Sequence, residues 1–211
     1  MKCVIIAGAP DPDIEYIRQT AQTADCVICA DRGYAYAKQA GIEPQVIIGD
    51  FDSFTELLPQ NKEIITLQRE KMFSDTVHCI DKAIKMGYNN LVILAATGGR
   101  LDHTLCNCYA LEYAADHGAN AMLLSERERV ELLKEESRTY EMMNGRTFSL
   151  FPFGTESAEV SIEGAHYPLD RYTMISGTPI GLSNIFEGKQ SRITVHSGKA
   201  ILIINQQDTF L

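Results

Sequence analysis

The sequence predicts an α/β domain with a mostly parallel sheet and flanking helices, followed by a smaller antiparallel β-sandwich or barrel domain. Three observations carry this expectation. Through about residue 125, short apolar runs alternate with segments of helical period, the pattern of α/β folds. One run, Leu91–Ala96, is apolar throughout, as a strand covered on both faces of a parallel sheet must be. From Thr147 onward no long helix-period segment occurs, and short β-prone runs are separated by Gly, Pro, Ser and Asn.

Taken in order, Lys2–Ala7 is an apolar strand ending at Gly8. A helix over Asp13–Thr23 follows, with Ile14, Ile17, Arg18 and Ala21 at helical spacing. Asp25–Ala30 is a second strand, and Gly33–Ala40 a short helix closed by Gly41. Val46–Ile48 is a third strand, Phe54–Leu58 a helical turn and Ile64–Leu67 a short strand. Ser74–Met86 carries Val77, Ile80, Ala83 and Ile84 on one stripe, with Ser74 or Asp75 as N-cap and Gly87 beyond its end. After Leu91–Ala96 come a helix over Leu105–His117, closed by Gly118, and a strand over Ala121–Leu124. The charged stretch Ser125–Gly145 reads as a solvated hairpin and domain junction. Thr147–Phe151, Glu159–Ile162, Arg192–His196 and Ala200–Ile204 are the β-runs of the second half. The expected domains are 1–135 and 140–211.

The 211 residues carry a formal net charge of -9 and no basic tract, which argues against nucleic-acid binding. The N-terminal apolar run is too short for a signal peptide, and no run reaches membrane-span length, so a cytoplasmic location is expected. Cys26-x-x-Cys29 lies in a strand rather than at a helix start, so the six cysteines read as reduced, structural thiols.

The richest segment is Gly49-Asp50-Phe51-Asp52-Ser53, directly after the third strand. Carboxylates at i and i+2 of extended chain point the same way and can hold one hard cation, Mg²⁺ above all where phosphate oxygens complete the shell. Alone, such a pair also serves as turn and cap residues. Other strand exits carry acids too: Asp11, Asp31, Asp75 and Asp102. Ligands of open parallel sheets bind at such carboxyl ends. Thr97-Gly98-Gly99-Arg100 resembles a phosphate-handling turn before a helix. Neither a Walker A loop nor G-x-G-x-x-G is present. His103 reads from its position as a helix-start residue, and Asp102 as the cap of a helix from Thr104.

These pieces together resemble the thiamine pyrophosphokinase family, bacterial type, over essentially the whole length. The resemblance rests on Asp31-x-Gly33, Gly49-Asp50-Phe51-Asp52-Ser53, Ser74-Asp75, and Gly98-Gly99-Arg100-Leu101-Asp102-His103 with Asn107. In the second half it rests on Gly164-x-x-Tyr167-Pro168-Leu169 and Gly181-Leu182-Ser183-Asn184. It implies transfer of a pyrophosphoryl group from ATP to the hydroxyl of thiamine, giving thiamine diphosphate and AMP. It implies a homodimer with the active site between subunits. Asp50, Asp52 and Asp75 would hold Mg²⁺ and, with Asp102, carry catalysis. Asp31, Arg32, Gly33, Gly98, Gly99, Arg100, His103 and Asn107 would bind nucleotide; Lys71, Ser183 and Asn184 would bind thiamine. Three positions depart from the family pattern: Arg32 stands at a usual Gly, Met72 at a usual Asp and Ile185 at a usual Glu. They open two alternatives, a member acting on another alcohol and a weakly active nucleotide- or thiamine-binding protein.

Overall fold

The computed structural model describes residues 1–51, 59–68, 70 and 72–209. The expected turn at 54–58 and the site candidates Asp52 and Lys71 lie outside the described residues. The chain divides into two compact units, Met1–Ser125 and Glu126–Leu211.

In the first unit, β1 (Lys2–Ile6), β2 (Cys26–Ala30), β3 (Val46–Gly49), β4 (Glu63–Thr66), β5 (Asn90–Leu94) and β6 (Asn120–Leu124) pair in the order β6-β5-β1-β2-β3-β4. Every neighbouring pair is parallel. The interior strands are apolar and buried on both sides, which is why they read as continuous hydrophobic runs. Chain order reverses between β1 and β5, making a topological switch point there.

Side-chain alternation assigns the helices to faces. Val4, Ile6, Val27 and Cys29 share a core with Ile17 and Ala21 of α1 (Ile14–Ala21) and with Tyr36 and Ala37 of α2 (Gly33–Gln39). The alternate residues Cys3, Ile5, Ile28 and Ile48 are buried on the opposite face, where α3 (Asp75–Lys85) lays its stripe of Val77, Ile80 and Ala83. The last helix, α4 (Leu101–Asp116), packs on α3 and β6. Asp13 and Ser74 cap α1 and α3 by accepting from Tyr16 N and Val77 N, at 2.9 and 3.4 Å.

The second unit is a sandwich of two antiparallel layers. One has the order β12-β9-β14-β7, from β7 (Glu128–Lys134), β9 (Arg146–Pro152), β12 (Asn184–Ile185) and β14 (Lys199–Thr209). The other has the order β11-β10-β13-β8, from β8 (Ser137–Glu141), β10 (Ser157–Glu163), β11 (Leu169–Ile175) and β13 (Gln190–Ser197). Leu133, Phe148, Leu150, Val160, Phe186, Ile193 and Leu202 fill the core, with Phe148 stacked on Phe186 at 4.2 Å between ring centroids.

Two sequence readings need correction. Ser125–Gly145 is not a solvated hairpin: β7 pairs with β14 and β8 with β13, in different layers. Its charge is partly internal. Glu131 is 0% exposed and accepts from Arg129 Nε at 2.6 Å and Tyr140 Oη at 2.8 Å, with Arg138 Nη1 at 3.2 Å. Charged residues that satisfy one another can leave water, so a polar run does not guarantee a surface loop. The unit boundary accordingly falls before β7, ahead of the 135–145 junction expected from composition. Helix α4 also starts at Leu101, earlier than expected, with Arg100 at its N-cap and Asp102 inside its first turn.

Candidate functional site

A cavity of about 700 Å³ opens at the carboxyl ends of the parallel strands, where the chain order reverses. Four short segments build it: Gly8–Pro10 after β1, Asp31-Arg32 after β2, Asp50 after β3 and Gly98–Arg100 after β5. The first turn of α3 adds Ser74, Asp75 and Thr76, and α4 adds His103, Cys106 and Asn107.

Backbone bonds hold these exits in place. Ala9 N donates to Ala95 O at 2.8 Å, which ties the turn after β1 to the end of β5. Asp31 N donates to Ile48 O, also at 2.8 Å, joining the ends of β2 and β3. Asn107 is buried, and its Nδ2 donates to Ala96 O at 2.8 Å. Its amide therefore orients the Thr97–Arg100 turn.

The backbone is strained where the strands end. Asp31, Phe51 and Ala95 all have positive φ, at 45°, 55° and 50°. Each such residue costs about 1–3 kcal/mol and persists only where its surroundings force it, commonly at functional sites. Packing around these exits is close. A Cβ on Gly33 would fall 1.9 Å from Ile6 O, so α2 sits directly on the end of β1. Gly99, at φ 67°, leaves no room for a Cβ beside the Pro10 ring, which a Cβ would approach to 2.5 Å.

The electrostatics are mixed. Asp31, Asp50 and Asp75 line one cavity, and Oδ1 of Asp31 and of Asp75 is buried. Arg32 and Arg100 supply the positive charge. Arg100 is forked onto Asp102, with Nη2 to Oδ2 at 2.5 Å and Nε to Oδ1 at 3.1 Å. That hydrogen-bonded guanidinium, helped by the His103 N–H, holds the Asp102 carboxyl below its ordinary range. Asp102 is solvent-exposed and does not line the cavity. Among the described residues no group of three His, Cys, Asp or Glu is arranged to hold a metal. Asp50 and Asp75 do line the same cavity, and hard oxygen donors of this kind fit Mg²⁺.

The structure thus brings together Asp31, Arg32, Asp50, Asp75, Gly98, Gly99, Arg100, His103 and Asn107. Gly33 lies behind the wall as the packing contact just described. Ser183 and Asn184 belong to the second unit. Ser183 has φ 58°, and its N–H donates to Ser149 Oγ at 3.1 Å. The Asn184 side chain is spent on the fold: Oδ1 accepts from Tyr167 N and Ile185 N, and Nδ2 donates to Tyr167 O. Met72 is 90% exposed and does not line the cavity, so that departure from the family pattern leaves the cavity wall untouched. Thr76 and Cys106 were not anticipated. Cys106 is an exposed lining residue rather than a core thiol; its i+3 spacing from His103 on α4 was the available signal. No described helix is long and apolar enough to cross a membrane.

Comparison with known proteins agrees with this architecture. Residues 17–123 match the family model "Thiamin pyrophosphokinase, catalytic domain", and residues 131–202 match "Thiamin pyrophosphokinase, vitamin B1 binding domain". The thiamine pyrophosphokinase of Bacillus subtilis is 29% identical over 206 residues, 95% of each chain. Thiamine pyrophosphokinase 1 of Arabidopsis thaliana is 29% identical over 76% of this chain and 64% of its own length. Among solved structures, the Bacillus subtilis thiamine pyrophosphokinase superposes with a TM-score of 0.87 at 24% identity, covering 98% of this chain and 100% of that one. The Geobacillus thermodenitrificans thiamin pyrophosphokinase superposes at 0.82 and 23% identity, covering 97% of each. At those identities the superpositions speak for the fold.

Proposed function

The chain belongs to the thiamine pyrophosphokinase family, and we propose that it transfers the pyrophosphoryl group of ATP to the hydroxyl of thiamine, releasing AMP and thiamine diphosphate. The observation that carries this reading is the cavity at the switch point, where Asp31, Asp50 and Asp75 share one lining with the Gly98-Gly99 turn before α4.

Transfer at the β-phosphorus needs a neutralised, immobilised triphosphate and an alcohol aligned with the breaking bond. In this reading the N–H groups of Gly98 and Gly99 and the positive end of α4 receive phosphate oxygens. Arg100 adds a planar pair of donors once it exchanges Asp102 for phosphate. Asp50 and Asp75, with Asp52 two residues on, would hold Mg²⁺. When bound, the ion supplies positive charge to the phosphate oxygens. Asp31 orients the same region from the end of β2. Close packing at Gly33 and Gly99 fixes where these segments stand. Ser183 serves thiamine, and a homodimer with the active site between subunits completes the reading.

The purified protein incubated with ATP, Mg²⁺ and thiamine should form AMP and thiamine diphosphate in equal amounts. Asp75→Asn should lower that rate by at least about a hundredfold, as loss of a charge-stabilising group does, with an unchanged far-UV spectrum. AMP formed only when a different alcohol is supplied would replace thiamine as the substrate. Saturable thiamine binding without AMP would leave a binding protein. A near wild-type rate in Asp75→Asn would sink the metal assignment.

A further inference from the structure

We propose that Arg32 binds the phosphate chain of the nucleotide directly and gives this protein measurable ATP affinity without a divalent cation. The inference rests on the nucleotide reading of the cavity. Arg32 and Arg100 are the two guanidiniums among its described lining residues. Arg100 is already held by Asp102 through two hydrogen bonds. Arg32 makes no ion pair with any described residue.

Its placement favours phosphate over a general surface role. Arg32 stands at the N-cap of α2 with φ -55° and ψ -23°, an ordinary backbone that needs no glycine. Its Cβ lies 3.3 Å from where a Cβ on Gly8 would be, so the side chain leaves the backbone against the turn after β1. That turn and the Gly98–Arg100 turn flank the switch point between β1 and β5. A guanidinium there shares the cavity wall with Asp31, Asp50 and Asp75, and a polyphosphate would meet it as a cation with planar paired donors. A bound divalent ion neutralises part of the same phosphate charge, so Arg32 should count for most when the ion is withheld.

The test is calorimetric titration of the full chain with ATP, in EDTA and in Mg²⁺, and with adenosine as the uncharged probe. Wild type should bind ATP in EDTA. Arg32→Met should weaken that binding by roughly tenfold to a hundredfold, the range for a lost charge-assisted hydrogen bond. The loss should be smaller in Mg²⁺ and undetectable for adenosine, and Arg32→Lys should recover part of it. Thermal melts of both variants should match wild type, because the side chain is exposed. Wild type that binds ATP in Mg²⁺ but not in EDTA overturns this inference and leaves the nucleotide reading standing. So does an equal loss for ATP and adenosine, which would make Arg32 a contact to the base or ribose. No ATP binding in either buffer would overturn the nucleotide reading itself, and this inference with it.

Discussion

Replacing Gly33 by Ala tests how the fold positions the cavity. The added Cβ falls 1.9 Å from the Ile6 carbonyl oxygen, 2.7 Å from its carbon and 2.9 Å from the Ala7 oxygen. Ordinary contact with carbon begins near about 3.5 Å, so the two backbones must part by roughly 1.5 Å. No rotamer change relieves the clash, because every opposing atom is backbone. The first turn of α2 has to retreat, and it carries Arg32 and, just before it, Asp31 at φ 45°. Overpacking of this kind costs about 1–3 kcal/mol, and the depth of the clash argues for the upper end. For a chain of this size each kcal/mol lowers Tm by about 2–4 °C, giving a drop of roughly 6–12 °C. Misplacing a site group by about 1 Å costs on the order of a hundredfold in rate. Far-UV circular dichroism melts and AMP release in the ATP, Mg²⁺ and thiamine assay measure the two effects. A Gly33→Ala protein that melts with wild type and releases AMP at the wild-type rate would refute the argument that this contact sets the wall.

Two further outcomes follow from other parts of the chain. Glu131→Gln should destabilise by about 3 kcal/mol, the lower end for breaking a buried ion pair, since Arg129 and Arg138 retain some access to water. Urea unfolding followed by circular dichroism should show a midpoint lower by about 1–2 M, and a shift under about 0.3 M would contradict the burial argument. The Arg100–Asp102 bridge has its own pH signature. Asp102 has a depressed folded-state pKa, so the bridge is fully present above the unfolded carboxyl value and is lost as pH falls through the folded one. Carbon-detected NMR titration should place the Asp102 midpoint below that of an ordinary aspartate, and Arg100→Ala should return it to the usual range.

The described strands and helices of the first unit were legible, apart from where α4 starts, because its elements are set by local signals. Apolar runs such as Val46–Ile48 make strands, and Ser74 with the Val77–Ile80–Ala83 stripe makes α3. The recurrent acids at strand exits could also be read, since an exit is defined by where an apolar run stops. The second unit was harder. Strand β11 has only Met174 buried, so its period was too weak to mark it. Strands β7 and β8 were hidden by charges that pair across layers, as between Glu131 and Arg138.

Sequence alone determined the family pattern, the α/β and β-rich halves and the carboxylates Asp31, Asp50 and Asp75, because each is written in adjacent residues. The tertiary structure decided where the candidate residues stand. It put Asp102 outside the cavity wall and Cys106 on it, spent the Asn184 amide on Tyr167, turned Met72 to solvent and faced Arg32 into the cavity. Those outcomes depend on which strand ends meet at the switch point, how closely α2 approaches β1 and, for Asn184, how the 167 and 184 segments pair in the second unit. All are contacts between residues far apart in the chain, to which local propensity and spacing are blind.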